Sequence, residues 1–537
     1  MFGMSRPLGP GRRRTCCDQR RSDIFRYLLD VVDPDAYHTS MLMLGSRLLQ
    51  DLNIKEAVLD EATWKSDLVP TPLVNDFAGD QPDFVSDFVS EIGQAGIDLS
   101  QMSEISASKW RYGRRPVALL PLVERVLYRA MVSYLDADLV PVNRTADHYD
   151  QFLRAPLLDS KSRFVVSTDL ANFHSSIPTD RIAQELVQVT GRWEAVEWLR
   201  RFYLGISGGR NGIPHGSPPS TRIAEVYASE LHRRLLLRGL SVWRYADDFR
   251  IGAASAIDCV VALDIFDEEA RSLGLFVNER KTFYVGRDRY ESIVEAPAER
   301  LQEISGEVEE DLTLLGYEDG TLIADTSGVS SEVAIKILEY WKLERKEVDR
   351  IDVGKEIEII RLVKLAFDVL QSENDSFGLT FCHDVLRWEP QVTPAVASYM
   401  ISQARLYPGK VQDVIRRATT SLPLTKWQNL WLLHVVAKGE NIPRGYPDSF
   451  HEWLISETRN SLEINRSEAV WALARNSNLD IDLWSSASLR ATRLGYPYLA
   501  AAFNGILPAA PRSLRPASAL DRKIAEWVEG NFLICPF

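Results

Sequence analysis

The stretch Trp243-Arg244-Tyr245-Ala246-Asp247-Asp248-Phe249 decides the fold of the central part of the chain. Aromatic residues lead into two adjacent carboxylates, and Phe249-Arg250-Ile251 leads out again. This pattern predicts two short β-strands joined by a turn that carries Asp247 and Asp248. Two anionic side chains at a hairpin tip repel each other and lose hydration, so we expect divalent cations to bind there.

A third carboxylate distinguishes this pair from an ordinary, solvated Asp-Asp turn. The run Phe164-Val165-Val166-Ser167-Thr168-Asp169 is apolar and β-branched and ends in an acid, which predicts a buried strand with a carboxylate at its end. Asp169, Asp247 and Asp248 together can hold two Mg²⁺ ions, or Mn²⁺ in their place, roughly 3.5–4 Å apart. One ion of such a pair activates a 3′-hydroxyl and the other stabilises a leaving pyrophosphate.

The length and composition predict a soluble protein of two or three domains. A chain of 537 residues is too long for one hydrophobic core. No apolar run approaches the ~20 residues that span a bilayer, and the N-terminus lacks the apolar centre of a signal peptide. The five cysteines show no zinc-binding spacing, which favours free thiols in a reducing compartment. We therefore expect a cytoplasmic protein without membrane contact.

The net charge of −13 argues against a surface coated in basic residues for duplex DNA, although a local basic channel is compatible with an acidic total. Residues 1–22 are rich in arginine and predict a disordered basic tail. Residues 63–82 contain three prolines and predict a loop. The stretch Lys109-Trp110-Arg111-Tyr112-Gly113-Arg114-Arg115-Pro116 mixes charge and aromatic rings, which suits a triphosphate or a single strand, with a solvated loop as the alternative.

The segment between the acids alternates helices and glycine-rich loops. An amphipathic helix is predicted from Thr179 to about Leu204. The loop Gly212-Ile213-Pro214-His215-Gly216 then leads through Ser220 into another helix, so its backbone can approach a ligand closely. From about residue 164 the predicted order is strand, helix, loop, helix, hairpin, helix, strand. This order predicts an α+β layer with both large helices on one face of a small, mainly antiparallel sheet.

The composition changes near residue 330, where glycine becomes rare and amphipathic helices follow one another. Thr425 with Gln428 three residues on is typical of a capped helix start. We find no repeat of fixed period, so residues 326–537 predict an irregular all-α solenoid or bundle.

With these residues in hand, the chain resembles the reverse transcriptases. Residues 164–177, 212–220, 245–248 and 274–282 are similar to their motifs A, B, C and D, in the correct order. Arg115-Pro116 and residues 124–129 are similar to their fingers region. The resemblance implies an α+β reverse-transcriptase palm and fingers followed by an all-α helical-repeat (solenoid-like) domain. We therefore expect a tail at 1–22, fingers and N-terminal helices at 23–163, a palm at 164–325 and the helical-repeat domain at 326–537.

Two finer patterns resemble the bacterial abortive-infection and defence-associated group, whose AbiA- and AbiK-like members carry a helical-repeat domain after the polymerase. They are Asp169-Leu170-Ala171-Asn172-Phe173 with Ser176-Ile177, and Ser220 with Ile223-Ala224-Glu225. The resemblance implies an antiviral role in a homo-oligomer. It also implies synthesis of single-stranded DNA from dNTPs without a template, started from a protein hydroxyl.

Two alternative functions stay open, and a third is disfavoured. One is a reverse transcriptase that copies a dedicated noncoding RNA. Another is a sensor or scaffold whose helical domain binds a phage or host protein. A palm-type nucleotide cyclase is disfavoured because those enzymes carry Gly-Gly where this chain has Tyr245-Ala246.

The resemblance also implies roles for individual residues. Asp169 and Asp247 bind both metal ions, Asp248 assists, and the backbone carbonyl of Leu170 completes the second metal site. Lys281 neutralises or protonates the leaving group. The implied nucleotide-binding residues are Lys109, Arg115, Phe173, His174, Pro214, Gly216 and Lys281.

Three departures from the family pattern bear on substrate choice. His174 stands where most relatives place an aromatic residue that excludes a ribose 2′-hydroxyl, and imidazole can instead hydrogen-bond that hydroxyl. His215 stands where templated relatives often have glutamine. No separate thumb or RNase H pattern is recognisable, so removal of a template strand is not expected.

Overall fold

The structure is a computed structural model, and the residues it describes are 41–109, 113–142, 144–296, 317–318, 321–322, 330–345, 353–439, 448–476, 479–503, 506 and 518–532. The predicted tail at 1–22 lies outside the described residues. So do the aromatic residues and the central arginine of the basic stretch, at positions 110–112.

The N-terminal region is helical where it is described. Its helices are α1 (Ser46–Asp51), α2 (Ile54–Thr63), α3 (Leu73–Asp80) and α4 (Pro82–Ala95). The prediction of a loop throughout residues 63–82 is therefore wrong. Pro72 directly precedes α3 and Pro82 is the first residue of α4, so these prolines mark helix starts, where a missing N–H costs nothing.

A hairpin and a buried helix follow. Strands β1 (Ser103–Ser108) and β2 (Arg114–Leu119) pair antiparallel, and α5 (Leu122–Asp136) comes next. Arg125 and Arg129 of α5 both bind the buried carboxylate of Glu61 on α2, at 2.8 and 2.7 Å. This shared ion pair fixes α5 against the N-terminal helices.

The centre of the molecule is a four-stranded sheet formed by β3 (Phe164–Asp169), β4 (Ser241–Tyr245), β5 (Asp248–Ala253) and β6 (Phe283–Gly286). The strand order is β4-β5-β3-β6, and every neighbouring pair is antiparallel. A two-residue turn, Ala246-Asp247, joins β4 to β5. The predicted hairpin and antiparallel sheet are thus confirmed.

The helices around this sheet differ in one respect from the prediction. The described helices of this region are α6 (Ala146–Leu158), α7 (Phe173–Ser176), α8 (Thr179–Thr190), α9 (Trp193–Ser207), α10 (Pro218–Leu237), α11 (Ala256–Ser272) and α12 (residues 287–296). The prediction of a single helix from Thr179 to about Leu204 is wrong, because this segment forms two helices, α8 and α9, separated at Gly191. This glycine has φ +67°, a left-handed conformation that ends a helix readily.

The two faces of the sheet carry different chemistry, because successive side chains of a strand alternate in direction. The ring of Phe249 on β5 packs edge-on against Phe266 of α11, with the centroids 5.1 Å apart. Its neighbours Asp248 and Arg250 therefore point to the other face, where Arg250 lies over the ring of Phe152 on α6. The acid of β5 thus lies on the face opposite α11.

The C-terminal region is helical wherever it is described, as predicted; its arrangement as a solenoid stays a prediction. Thr425 and Gln428 form the predicted reciprocal cap at the start of α18. The helices are α13 (Ser331–Glu344), α14 (Val353–Ser372), α15 (Leu379–Trp388), α16 (Thr393–Ala404), α17 (Pro408–Ser421), α18 (Lys426–Lys438), α19 (Asp448–Glu457), α20 (Glu463–Asn476), α21 (Ile481–Ser488), α22 (Tyr496–Ala502) and α23 (Ala519–Asn531). Across the described residues, no helix is both long and apolar enough to cross a membrane.

This helical region packs against the N-terminal helices through polar contacts. The indole N–H of Trp427 donates to the Leu68 carbonyl, and that of Trp527 donates to Asp80 at 2.9 Å. The junction also has a charge pair with a nearly buried acid. Arg493 lies 2.8 Å from Glu124 of α5, whose side chain is 2% exposed.

We expect Arg493→Ala to lower the free energy of unfolding by about 1–3 kcal/mol, because it leaves the Glu124 carboxylate buried without its partner. Burial already raises the pKa of Glu124 despite the attraction of Arg493. A protonated Glu124 needs no cation, so the loss should be larger at about pH 8 than at about pH 5. Denaturant unfolding at both pH values measures it.

The matched control is Arg490→Ala, which removes an exposed arginine three residues earlier. We expect it to change the unfolding free energy by less than about 0.5 kcal/mol. Equal effects of the two variants would show that the pair between Arg493 and Glu124 contributes nothing to stability.

Candidate active site

Three carboxylates from separate parts of the chain meet at one end of the central sheet. Asp169 is the last residue of β3, and its partner across the antiparallel pair is Asp248, the first residue of β5. Asp247 lies in the turn just before β5. One oxygen of each carboxylate lies within 4.8 Å of those of the other two. This spacing suits shared ligation of divalent ions.

Asp169 is the most enclosed of the three acids, with 3% of its surface exposed. Its Oδ2 accepts a hydrogen bond from Asn278 Nδ2 at 2.9 Å and pairs with Lys281 Nζ at 3.0 Å. Its Oδ1 is buried and accepts no hydrogen bond from the described residues. A buried carboxylate oxygen without a partner is costly, and a bound cation would satisfy it. The residues present therefore fit a metal site.

Asn278 is a site residue that the sequence analysis missed. Besides the side-chain bond, its backbone N–H donates to the Asp169 carbonyl at 2.8 Å, beside an isolated bridge between Leu170 and Val277. On the other side of this bridge the Ala171 N–H donates to the Phe276 carbonyl at 2.8 Å. Neither backbone bond uses the Leu170 carbonyl, whose role as a metal ligand stays a prediction. Its signals in the sequence were its place within residues 274–282, the stretch similar to motif D, and its position three residues before Lys281.

The pKa values at the site show an excess of negative charge. Burial, followed by repulsion from Asp169 and Asp248, raises the pKa of Asp247 to about 6. Burial is also the main cause of the raised pKa of Asp248. The pKa of Lys281 rises because attraction to the three acids outweighs its own desolvation. The pKa of Asp247 and that of Asp248 stay raised although Lys281 lies close by, so the negative charge is only partly balanced and the site favours additional cations.

Lys109 and Arg115 stand beside this charge cluster on the β1–β2 hairpin. Desolvation lowers the pKa of Lys109, and repulsion from Lys281 and Arg115 lowers it further, while Asp169 opposes this effect. The backbone N–H of Lys109 donates to the Gly113 carbonyl at 3.1 Å and closes the hairpin loop. The structure thus brings the three predicted basic residues to one site, and grouped cations of this kind suit a triphosphate.

Phe173 and His174 form the start of α7, after Asn172, which has φ +48°. The His174 ring lies edge-on to His215, with the centroids 4.6 Å apart. Desolvation, followed by repulsion from His215, lowers the pKa of His174 well below its ordinary value. The imidazole of His174 is therefore neutral at physiological pH, when it can both donate and accept a hydrogen bond.

The loop of Pro214 and Gly216 is fixed by close contacts with the β1–β2 hairpin. Gly216 has φ +92°, and a Cβ there would lie 2.8 Å from a Val117 methyl group, so only glycine fits. Pro214 and Gly216 also line a cavity whose wall includes Tyr498 of the helical region. The structure explains Gly216 by packing, and contact of either residue with a nucleotide stays a prediction.

Comparison with known proteins agrees with this geometry. Residues 108–338 match the family described as "Reverse transcriptase (RNA-dependent DNA polymerase)". The chain is similar to the retron Ec86 reverse transcriptase of Escherichia coli, with 29% identity over 132 residues. That similarity covers 23% of this chain and 39% of the retron enzyme, so the chain spans well under half of its curated relative.

Two solved telomerase structures are also similar in part. The apo telomerase from Candida tropicalis aligns at 12% identity with a TM-score of 0.30, over 62% of this chain and 69% of the telomerase. The telomerase from Candida albicans, in complex with a fragment of telomeric RNA, aligns at 11% identity with a TM-score of 0.27, over 61% and 63%. Scores this low carry no argument about the fold.

We expect Asp247→Asn to stabilise the protein in the presence of a metal chelator by about 1–3 kcal/mol at neutral pH. The folded-state pKa of about 6 exceeds the ordinary value of 3.8, so ionisation of Asp247 costs stability as the pH rises through about 6. Asparagine removes that charge. Thermal or denaturant unfolding measures the gain.

When Mg²⁺ replaces the chelator in this unfolding assay, the melting temperature of the unmodified chain should rise and that of Asp247→Asn should not. The control is Asp267→Asn, which changes an exposed acid of α11 paired with Arg271 and should shift stability by less than about 0.5 kcal/mol. If Asp247→Asn is no more stable than the unmodified chain in chelator, charge repulsion does not govern this site.

Proposed function

We propose that this chain is a nucleotidyltransferase that polymerises deoxynucleotides at Asp169, Asp247 and Asp248, as an RNA-directed DNA polymerase does. The match of residues 108–338 to the reverse transcriptase family and the similarity to the retron enzyme support this proposal. The observation that carries the proposal is the convergence of these carboxylates within 4.8 Å at the end of the central sheet. The buried Asp169 oxygen, which lacks a hydrogen-bond partner among the described residues, supports the same assignment.

In the proposed reaction, the oxygen of a 3′-hydroxyl bonds to the α-phosphorus of a dNTP. The bond from that phosphorus to the bridging oxygen breaks, pyrophosphate leaves and the hydroxyl proton passes to water. Divalent ions, Mg²⁺ or Mn²⁺, activate the hydroxyl and neutralise charge on the leaving group when bound. Asp169 and Asp247 would hold both ions, with Asp248 and the Leu170 carbonyl completing the ligands.

The basic residues of the site hold the triphosphate in this proposal. Lys109 and Arg115 bind its outer oxygens from the β1–β2 hairpin. Lys281 stands 3.0 Å from Asp169 and has a raised pKa, so it carries a proton that it can donate to the departing pyrophosphate. This proton lowers the negative charge of pyrophosphate by one as the bond to the α-phosphorus breaks.

Sugar selection falls to α7 in this proposal. Phe173 and His174 lie under the incoming sugar, where a bulky ring excludes a 2′-hydroxyl by contact. His174 is less selective than an apolar ring would be, because its neutral imidazole can also hydrogen-bond that hydroxyl. The chain therefore prefers dNTPs but discriminates less sharply than an enzyme with phenylalanine or tyrosine at this position.

Two modes of DNA synthesis are proposed, one without a template and one that copies an RNA, and a different observation supports each. Synthesis without a template, started from a protein hydroxyl, is favoured by the resemblance to the abortive-infection group and by the helical region after the polymerase. Copying of a dedicated RNA is favoured by the similarity to the retron enzyme. Sequencing of copurified nucleic acid separates them: random or homopolymeric DNA supports the first, and a defined RNA with its complement supports the second.

The biological role proposed is antiviral defence in bacteria, exerted by a homo-oligomer through its single-stranded DNA product. A scaffold role is the competing proposal, in which the helical region binds a phage or host protein and polymerisation is dispensable. Protection of cells by a chain that lacks Asp247 and Asp248 would favour the scaffold. Loss of protection would favour the polymerase.

The double variant Asp247→Ala/Asp248→Ala should lower nucleotide incorporation by more than about 1,000-fold, because it removes two of the three metal ligands. The assay incubates the purified chain with Mg²⁺ and each labelled dNTP separately, with and without an added RNA template and primer. Denaturing electrophoresis before and after protease treatment reports polymer length, base preference and covalent attachment to protein.

Asp267→Ala is the control for a general loss of negative charge and should retain activity within about twofold. Incorporation by the double variant at the unmodified rate would rule out Asp247 and Asp248 as the polymerase site. Absence of incorporation by the unmodified chain under all these conditions would count against the proposed function itself.

His174→Phe should raise the ratio of dNTP to NTP use by roughly tenfold, because phenylalanine keeps the bulk and loses the hydrogen bond to a 2′-hydroxyl. The measurement is kcat/KM for one dNTP and its matching NTP. His451→Phe in α19 is the control and should leave the ratio unchanged. An unchanged ratio in His174→Phe would show that this side chain does not set sugar choice.

A further inference from the structure

We propose that Glu225, Arg244 and Arg144 form a bracket that positions the metal-binding turn, with Glu225 and Arg244 as positioning residues for the proposed polymerase reaction. This inference rests on the proposed function and adds residues that do not themselves contact substrate. It follows from hydrogen bonds, burial and backbone conformation at the turn of Ala246 and Asp247.

The bracket links the turn to helix α10. Arg244, on β4, donates from Nη1 to the Ala246 carbonyl at 2.9 Å. Its Nη2 donates to Oε1 of Glu225, on α10, and to Ser229 Oγ at 3.0 Å. One guanidinium group thus connects the turn backbone to two side chains of the helix.

A second arginine completes the bracket. Arg144 donates from Nη2 to Oε2 of Glu225 at 2.8 Å, so the two carboxylate oxygens of Glu225 each bind one arginine. The backbone carbonyl of Arg144 accepts a hydrogen bond from the Tyr245 hydroxyl at 3.1 Å. The turn is therefore held at its first residue, Ala246, by Arg244, and at the preceding residue, Tyr245, by the segment that carries Arg144.

The turn needs such support because its backbone is unfavourable. Ala246 has φ +53°, a left-handed conformation that costs a non-glycine residue roughly 1–2 kcal/mol. Glycine would adopt it without that cost, yet the chain has alanine at this position. The hydrogen bond from Arg244 holds the Ala246 carbonyl in this conformation. The next residue is Asp247, so its carboxylate direction depends on the same backbone.

The bracket is buried enough to be rigid. Glu225 is 8% exposed, and attraction to both arginines outweighs burial to hold its pKa below the ordinary value. The Arg244 side chain is 9% exposed. A paired carboxylate between two fixed guanidinium groups has few alternative arrangements, since any movement would leave a buried charge without its partner. The turn therefore presents Asp247 and Asp248 in one orientation before metal binds.

The same helix supplies a matched control. Glu230, five residues after Glu225 on α10, is 6% exposed and also binds two arginines, Arg233 at 2.6 Å and Arg234 at 2.5 Å. Glu230 and Glu225 thus have the same charge, similar burial and the same number of arginine partners. Within the described part of the chain, Arg233 and Arg234 donate hydrogen bonds to Glu230 and Ser272 and none to the turn, whereas Arg244 donates to the turn backbone.

The test compares Glu225→Gln and Arg244→Lys with Glu230→Gln in the full chain. Lysine keeps the charge but lacks the fork that binds the turn and Glu225 together. We expect Glu225→Gln and Arg244→Lys to lower kcat by about 100-fold, with KM for the dNTP changed by less than about threefold, as for misplaced catalytic groups. Glu230→Gln should keep kcat within about threefold. Its melting temperature should nevertheless fall about as much as that of Glu225→Gln.

The second readout is the affinity for Mn²⁺ in the absence of nucleotide. Electron paramagnetic resonance of the free ion measures it. Loss of groups that orient metal ligands should weaken Mn²⁺ affinity about tenfold in Glu225→Gln and Arg244→Lys and leave it unchanged in Glu230→Gln. Full activity and Mn²⁺ affinity in Arg244→Lys would overturn the proposal, because charge alone would then suffice. Equal losses in Glu225→Gln and Glu230→Gln would also overturn it.

Arg144→Gln provides a second measurement if Glu225→Gln does not fold, since the Arg144 side chain is 26% exposed and its removal keeps the pair of Arg244 and Glu225. We expect an intermediate, roughly tenfold loss of kcat, and an unaltered kcat would count against the bracket. Failure of the proposed function is recognised separately, because the unmodified chain would then incorporate no nucleotide while its Mn²⁺ affinity could still be compared.

Discussion

The repulsion among three carboxylates at the end of the central sheet is the constraint on which the rest of the site depends. Asp169 and Asp248 face each other across an antiparallel pair, and Asp247 is held beside them by the turn. Lys281 and the basic residues of the β1–β2 hairpin balance only part of this negative charge. The negative charge that is left favours the binding of divalent cations, which in turn bind phosphates.

Much of this arrangement could be predicted from the sequence, because local patterns determine it. Alternation of aromatic and polar residues around Asp247 indicated a hairpin, and the β-branched run before Asp169 indicated a buried strand. Antiparallel pairing then requires the ends of those strands to meet. The capped start of α18 at Thr425 was equally local. The proline-rich segment before α3 was misjudged, because proline ends a helix when internal and begins one at the first turn.

Contacts between distant parts of the chain could not be predicted. Asn278 bonds Asp169 from more than a hundred positions away, and Glu225 binds Arg144 and Arg244 from two different segments. A single sequence contains no periodicity that pairs such residues. Gly191 was also missed, since one glycine within an amphipathic pattern does not reveal whether a helix bends, breaks or continues. These residues acquire their roles from packing, which only the folded chain shows.

The junction between the helical region and the N-terminal helices has a mechanical consequence. Glu124 and Asp80 are held by Arg493 and Trp527, so α5 and α3 share contacts with the far end of the chain. Any displacement of α5 must either carry these C-terminal helices along or break a pair that contains a buried acid. Force applied to the distal helices would therefore be transmitted to α5, and through its neighbour β2 to the hairpin that holds Arg115 and Lys109.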